Sequence, residues 1–144
     1  MHECANEWVY RQIVDGAQDA IIFSDRDGLI ELWNEGAENI FGYKAQEVMG
    51  QSLDLIIPEK LRARHWEGYR KVMVTGSTRY GRELLAVPAM RKDGSRISIE
   101  LSIVLVRSPS GDVVGSAAII RDVTARWLKE KEVSTKREGL HGKH

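Results

Sequence analysis

The sequence predicts an α+β fold in which helices cover one face of an antiparallel sheet. Three observations carry that expectation. The chain opens with two β-rich runs joined by an Asp-Gly turn, Ala20–Ser24 and Leu29–Trp33. A breaker-poor stretch, Glu59–Thr75, then repeats its apolar residues at helical spacing. Beyond Gly76 the apolar period changes to two. Strands that are segregated from helices, instead of alternating with them, place the helices on one side of the sheet.

Taken in order, Glu7–Val14 reads as a short helix on Trp8, Ile13 and Val14, closed by Gly16. Ala20-Ile21-Ile22-Phe23-Ser24 is a strand, Asp25-Arg26-Asp27-Gly28 its turn, and Leu29–Trp33 the return strand. Asn34 can cap a short helix on Ala37, Ile40 and Phe41 that ends near Gly42. Ala45–Met49 and Leu53–Ile57 are brief apolar pieces around Gly50. Pro58 suits the start of a helix, and Leu61, Tyr69, Val72 and Met73 form its inward stripe up to Gly76. His65 lies four residues from both Leu61 and Tyr69, on that same stripe. Leu84–Met90 is a strand, and Arg91-Lys92-Asp93-Gly94 a hairpin turn. In the next strand Ile97, Ile99, Leu101 and Ile103 alternate with Arg96, Ser98, Glu100 and Ser102. Ser108–Asp112 turns the chain into Val113–Ile120, and a charged helix follows over Ala125–Glu138. The organisation is a flanking helix over 1–14, one domain over 15–124 and a helix with a polar tail over 125–144.

Composition narrows the chemistry. The 144 residues, 42% apolar with 13 glycines besides, suit one globular domain. Lys and Arg total 21, as do Asp and Glu, so the formal charge is zero. Binding to nucleic acid or to an anionic membrane surface depends on excess positive charge and is not expected. No apolar run approaches the ~18 residues of a membrane span. Met1–Glu7 lacks the form of a signal peptide, and the expectation is a cytoplasmic protein. The lone Cys4 excludes an internal disulfide and a multi-cysteine zinc site. His2, His141 and His144 lie in polar termini, which leaves His65 alone in the body of the chain. No phosphate-binding loop, nucleophile elbow or dinucleotide-binding glycine run is present, and no nucleophile–base pair can be assembled. An enzyme is not expected.

This order of elements, with its punctuating residues, resembles the PAS sensor-domain family. The matching stretches are Ala20–Asp25 through Gly28-Leu29-Ile30, Trp33-Asn34 with Ala37, Phe41-Gly42-Tyr43 and Glu47-Val48-Met49-Gly50. Ile57-Pro58-Glu59, Arg91–Ser95, Glu100-Leu101-Ser102 and Arg121-Asp122-Val123-Thr124 continue the pattern. The resemblance implies a five-stranded antiparallel sheet, a ligand pocket between sheet and helices, and a sensory role. Light sensors of this family that hold flavin or a coumaroyl group covalently need a pocket cysteine, and Cys4 precedes the domain.

Arg62-Ala63-Arg64-His65 is similar to the helix of haem-binding PAS domains in bacterial oxygen-sensing kinases. That resemblance implies b-type haem with His65 as the proximal iron ligand. Lys71 and Arg79 fall where the family places propionate partners. Leu101, Ile103 and Ile119 make an apolar distal wall, with Tyr80 standing near it. The chemistry agrees, because haem needs one neutral imidazole at an apolar surface. Gly68, one turn after His65, leaves room beside the ring. The oxygen sensors carry a distal arginine twenty positions after the histidine, and this chain has Leu85 there.

Other readings stand beside this one. His65 also reads as a satisfied core residue. The pocket also suits a non-covalent flavin, a fatty acid or an aromatic metabolite, or its own side chains fill it and leave a dimerisation module. Trp8 and Val9 before the domain, with Trp127, Leu128 and Val133 after it, point to a homodimer through the flanking helices. The resemblance implies an output domain or partner protein as the receiver of the signal.

Overall fold

The computed structural model describes residues 2–78 and 84–141, with side-chain surroundings for 6–78 and 84–134. Helix α1 spans His2–Gly16 and strand β1 Ala20–Asp25. Between β1 and strand β2 (Ile30–Trp33) the chain reverses at Gly28, whose φ of 78° only glycine adopts freely. Asp25 Oδ1 tightens that turn by accepting from the backbone N–H groups of Asp27 and Leu29.

Helix α2 (Glu35–Phe41) begins at Asn34, whose side chain accepts from Ala37 N–H. The same Oδ1 accepts from Ile21 N–H at 2.8 Å, and Nδ2 donates to the carbonyls of Val14, Ala17 and Asp19. One buried amide therefore joins the end of α1, the first strand and the start of α2. Helix α3 (Ala45–Val48) and a 3₁₀ turn over Leu53–Ile56 follow, both short as their sequences require. Helix α4 (Glu59–Thr75) ends at Gly76, in the left-handed region with φ 70°. Arg107 donates to the exposed Gly76 carbonyl and holds that end of α4 to the sheet.

Strands β3 (Leu85–Met90), β4 (Arg96–Arg107) and β5 (Val113–Asp122) complete one antiparallel sheet of order β2-β1-β5-β4-β3. Directly paired residues in an antiparallel sheet share a face. The pairs Ala20–Ile120, Ile22–Ala118, Leu101–Ile120, Ile103–Ala118 and Ile99–Val87 thus define an inner face. Ala20, Ile22, Ile97, Ile99 and Ile120 on that face are buried with Phe41, Val48 and Ile56 from the helical side. Helices α2, α3 and α4 lie on one face of a five-stranded sheet, as the resemblance implies.

Helix α5 (Thr124–His141) leaves from β5. Thr124 Oγ1 accepts from Ser98 N–H, and Arg126 pairs with Glu100, so α5 starts anchored on β4. Both flanking helices run longer than the stretches 7–14 and 125–138, reaching His2–Gly16 and Thr124–His141. Among the described residues, no helix is long and apolar enough to cross a membrane.

Candidate functional site

Helix α4 sits on the inner face of the sheet, because its Tyr69 hydroxyl lies 2.8 Å from Ser24 Oγ, and Ser24 shares the register of Ala20 and Ile22. Its stripe of Leu61, His65, Tyr69 and Val72 is half-buried while Arg64, Glu67, Gly68, Arg70 and Lys71 are exposed. His65 Nδ1 is buried and has no hydrogen-bond partner. Its ring is edge-on to Trp66, with centroids 4.6 Å apart, and 5.7 Å from the Tyr69 ring. Burial pushes the imidazole pKa below its ordinary value, and the Asp54 carboxylate opposes the shift. The neutral ring, with a free nitrogen lone pair, is the form that prevails at neutral pH.

On the sheet side, Leu85 pairs with Leu101, and Leu101 and Ile103 share the inner face with Ala118 and Ile120. Leu85, Leu101 and Ile103 are only half-buried, and Val87 on the same face is 36% exposed. Apolar surface is thus left partly uncovered on the face over which α4 packs. Gly68 lies on the exposed side of α4, where a Cβ would meet no atom within 4 Å, so it opens no space at the imidazole.

The predicted site residues divide. Leu101 and Ile103 lie on the inner face of the sheet, and His65 on the inward stripe of the helix packed over that face. Ile119 does not lie on it. It pairs with Ile21 and Ser102, one residue out of phase with Ala118 and Ile120, and so lies on the outer face of the sheet. The wall position on β5 belongs to Ala118 instead. Lys71 is exposed on α4, on the solvent side of the helix. Arg79 and Tyr80 lie outside the described residues.

Two residues of the site escaped the sequence reading. Trp66 donates its Nε1–H to Asp54 Oδ1 at 2.7 Å, and Asp54 stands 4.0 Å from Arg62. The available signal was the indole itself, since a tryptophan beside an inward histidine needs an acceptor for its N–H.

A metal held by protein side chains alone has no place here. Among the described residues, no three His, Cys, Asp or Glu side chains cluster closely enough. With one imidazole available, a metal must bring its other ligands, as iron does within a porphyrin. The half-buried His65 imidazole and the partly uncovered Leu85, Leu101 and Ile103 supply the one nitrogen and the apolar surface that such a planar group needs. Two open grooves lie elsewhere, one at Phe41, Gly42, Arg91, Lys92 and Asp93 and one along α5 at Arg126, Lys129 and Val133.

Known sensor proteins resemble this chain over most of its length. Over 114 residues the chain is 30% identical to the sensor protein FixL of Bradyrhizobium diazoefficiens, covering 79% of this chain and 22% of that protein. It is 29% identical over 113 residues to the oxygen sensor protein DosP of Escherichia coli, covering 78% of this chain and 14% of DosP. The chain thus spans less than a quarter of either relative. Among solved structures, an RNA-binding light-oxygen-voltage receptor superposes with a TM-score of 0.73 at 19% identity, over 93% of this chain and 38% of that one, a likeness of fold. The family described as the PAS fold matches residues 9–123, and this chain belongs to it.

Proposed function

We propose that this PAS domain is the sensory module of a signalling protein and that its pocket takes b-type haem with His65 as the proximal ligand. The observation that carries the reading is the neutral, half-buried His65 imidazole on the stripe of α4 that packs over the inner face, where Leu85, Leu101 and Ile103 are only half-buried. Haem supplies a redox-active iron with a coordination position for a small diatomic ligand. The protein's own part is to hold that iron at His65, to exclude water with the leucine and isoleucine wall, and to carry the change outward. Lys71 and Arg79 are the assigned propionate partners, and Tyr80 the assigned polar neighbour of the distal side.

The route outward runs along β4. Leu101 faces the pocket and its neighbour Glu100 faces the other way, where it pairs with Arg126 of α5. A shift of β4 at Leu101 therefore acts on the start of α5. Similarity to FixL and DosP, whose names describe a sensor and an oxygen sensor, supports an output domain or partner beyond α5. Pairing of the flanking helices into a homodimer belongs to the same reading, since Trp8, Ile13, Trp127 and Leu128 are all exposed.

An absorption spectrum of the purified chain, taken before and after adding hemin, tests the ligand. A sharp Soret band at one hemin per chain is expected. A flavin spectrum, or hemin binding without a defined band, would contradict the haem assignment and leave the PAS fold untouched.

A further inference from the structure

Two aromatic side chains of helix α4, Trp66 and Tyr69, both beside His65, fasten it to the start of the sheet. The Trp66 ring lies against the β1–β2 turn so closely that a Cβ on Gly28 would stand 2.1 Å from two of its carbons. Its Nε1–H is fixed by Asp54 Oδ1. At the next turn of the helix, the Tyr69 hydroxyl donates to the Asp25 carbonyl at 2.5 Å. A phenol has one proton to give, so Ser24 Oγ is the donor in its 2.8 Å contact with Tyr69. Two bonds and one ring–backbone contact thus hold α4 on the end of β1 and on the turn after it, and a third bond ties it to Asp54 of the 3₁₀ turn.

An imidazole that binds a metal through one nitrogen is ordinarily oriented by a hydrogen bond from the other, to a carbonyl or carboxylate. His65 has no such bond: Nδ1 is buried and unpartnered. What touches the ring instead is the pair Trp66 and Tyr69, at 4.6 and 5.7 Å between centroids and themselves 5.3 Å apart, so that the three rings form one aromatic cluster. We propose that Trp66 and Tyr69 are positioning residues for His65, setting by packing and by their anchorage on the β1–β2 turn the orientation that a second-nitrogen hydrogen bond would otherwise set. The role rests on the haem reading of the site. The β1–β2 turn, which does not itself reach the pocket wall, then governs how firmly iron is held.

The test uses the whole chain loaded with hemin, in wild type, Tyr69→Phe, Trp66→Phe and the exposed control Glu67→Gln. Tyr69→Phe keeps the ring and removes the hydroxyl, and Trp66→Phe keeps an aromatic body and removes the N–H. Hemin release to excess apomyoglobin and the iron–histidine stretching band of the reduced protein are measured, with thermal melting alongside. Both variants are expected to bind hemin one to one, to release it roughly tenfold faster, the low end of the effect of losing an orienting partner, and to shift the iron–histidine band. Glu67→Gln is expected to match wild type. A wild type that binds hemin, together with variants unchanged in release and in band, would overturn the positioning role alone. A wild type with no Soret band would overturn the haem reading and this role with it.

Discussion

Leu85 and Leu101 stand directly opposite one another across β3 and β4, on the inner face of the sheet. Both belong to the wall proposed for the distal side of haem, so a ligand at the iron meets hydrocarbon at position 85, where the resembling oxygen sensors carry arginine. Neither leucine can donate a hydrogen bond.

The first expected outcome follows from that pair. Dioxygen bound to iron carries partial negative charge and carbon monoxide carries little, so a cation at position 85 favours the former. A charge-assisted hydrogen bond is worth about 1.5–3 kcal/mol, roughly a 10–150-fold change in affinity. Leu85→Arg should therefore raise affinity for oxygen relative to carbon monoxide within that range. Paired gas titrations of the two proteins measure it, and an unchanged ratio would remove residue 85 from the distal wall.

Asn34 offers a test of the fold itself. Its buried side chain satisfies two N–H groups and faces three carbonyls at the junction of α1, β1 and α2. Asn34→Ala leaves these groups unpaired and removes a helix cap, at a cost of about 2–4 kcal/mol. Asn34→Asp keeps the acceptor and loses the donor, and should fall between the two. Urea unfolding of the three proteins gives the order.

How much of this was legible in the sequence depended on where contrast existed. In β4 the alternation of isoleucine and leucine with polar residues fixes the inner face, and Leu101 and Ile103 lie on it as expected. β5 reads Val-Val-Gly-Ser-Ala-Ala-Ile-Ile, apolar or small on both faces, so nothing in the sequence separates Ile119 from Ile120. Only its pairing with β1 and β4 shows that Ile119 points outward. Gly42 and Gly76 were readable as helix ends because the left-handed backbone they adopt strongly favours glycine. The seat of Trp66 on Gly28 was not, since it joins two segments 38 positions apart that no local rule connects. Asn34 was legible as a cap and not as the tie to α1, which depends on where the helix before it ends.

A pH dependence is expected at α3. The Glu47 carboxylate accepts from Lys92 Nζ and from Lys44 N–H, and these bonds, with the lysine first, hold its pKa below the ordinary carboxylate value. A carboxylate with a depressed folded pKa contributes stability that is full above its unfolded pKa, near 4.3, and disappears as pH falls through the folded value. The melting-temperature gap between wild type and Glu47→Gln should accordingly be small, present at pH 6, and closed by strong acid. A gap that widens toward low pH would reverse the assignment.

The exposed apolar residues of the flanking helices set an expectation for assembly. Trp8, Tyr10 and Ile13 on α1 and Trp127, Leu128 and Val133 on α5 are between 44% and 63% exposed. Sedimentation at micromolar concentration is expected to give twice the 16.3 kDa chain mass. Replacing Trp127 and Leu128 with lysine should shift the chain toward monomer, while a wild type that sediments as a monomer would count against pairing.

Hemin titration of wild type and His65→Ala, followed at the Soret band, decides whether His65 holds iron. The expected result is one hemin per wild-type chain with a sharp band, and loss of both stoichiometry and band in a variant that still melts cooperatively. Hemin bound by His65→Ala with the wild-type spectrum and affinity would show that His65 is a packed core residue and that the iron, if held at all, is held elsewhere.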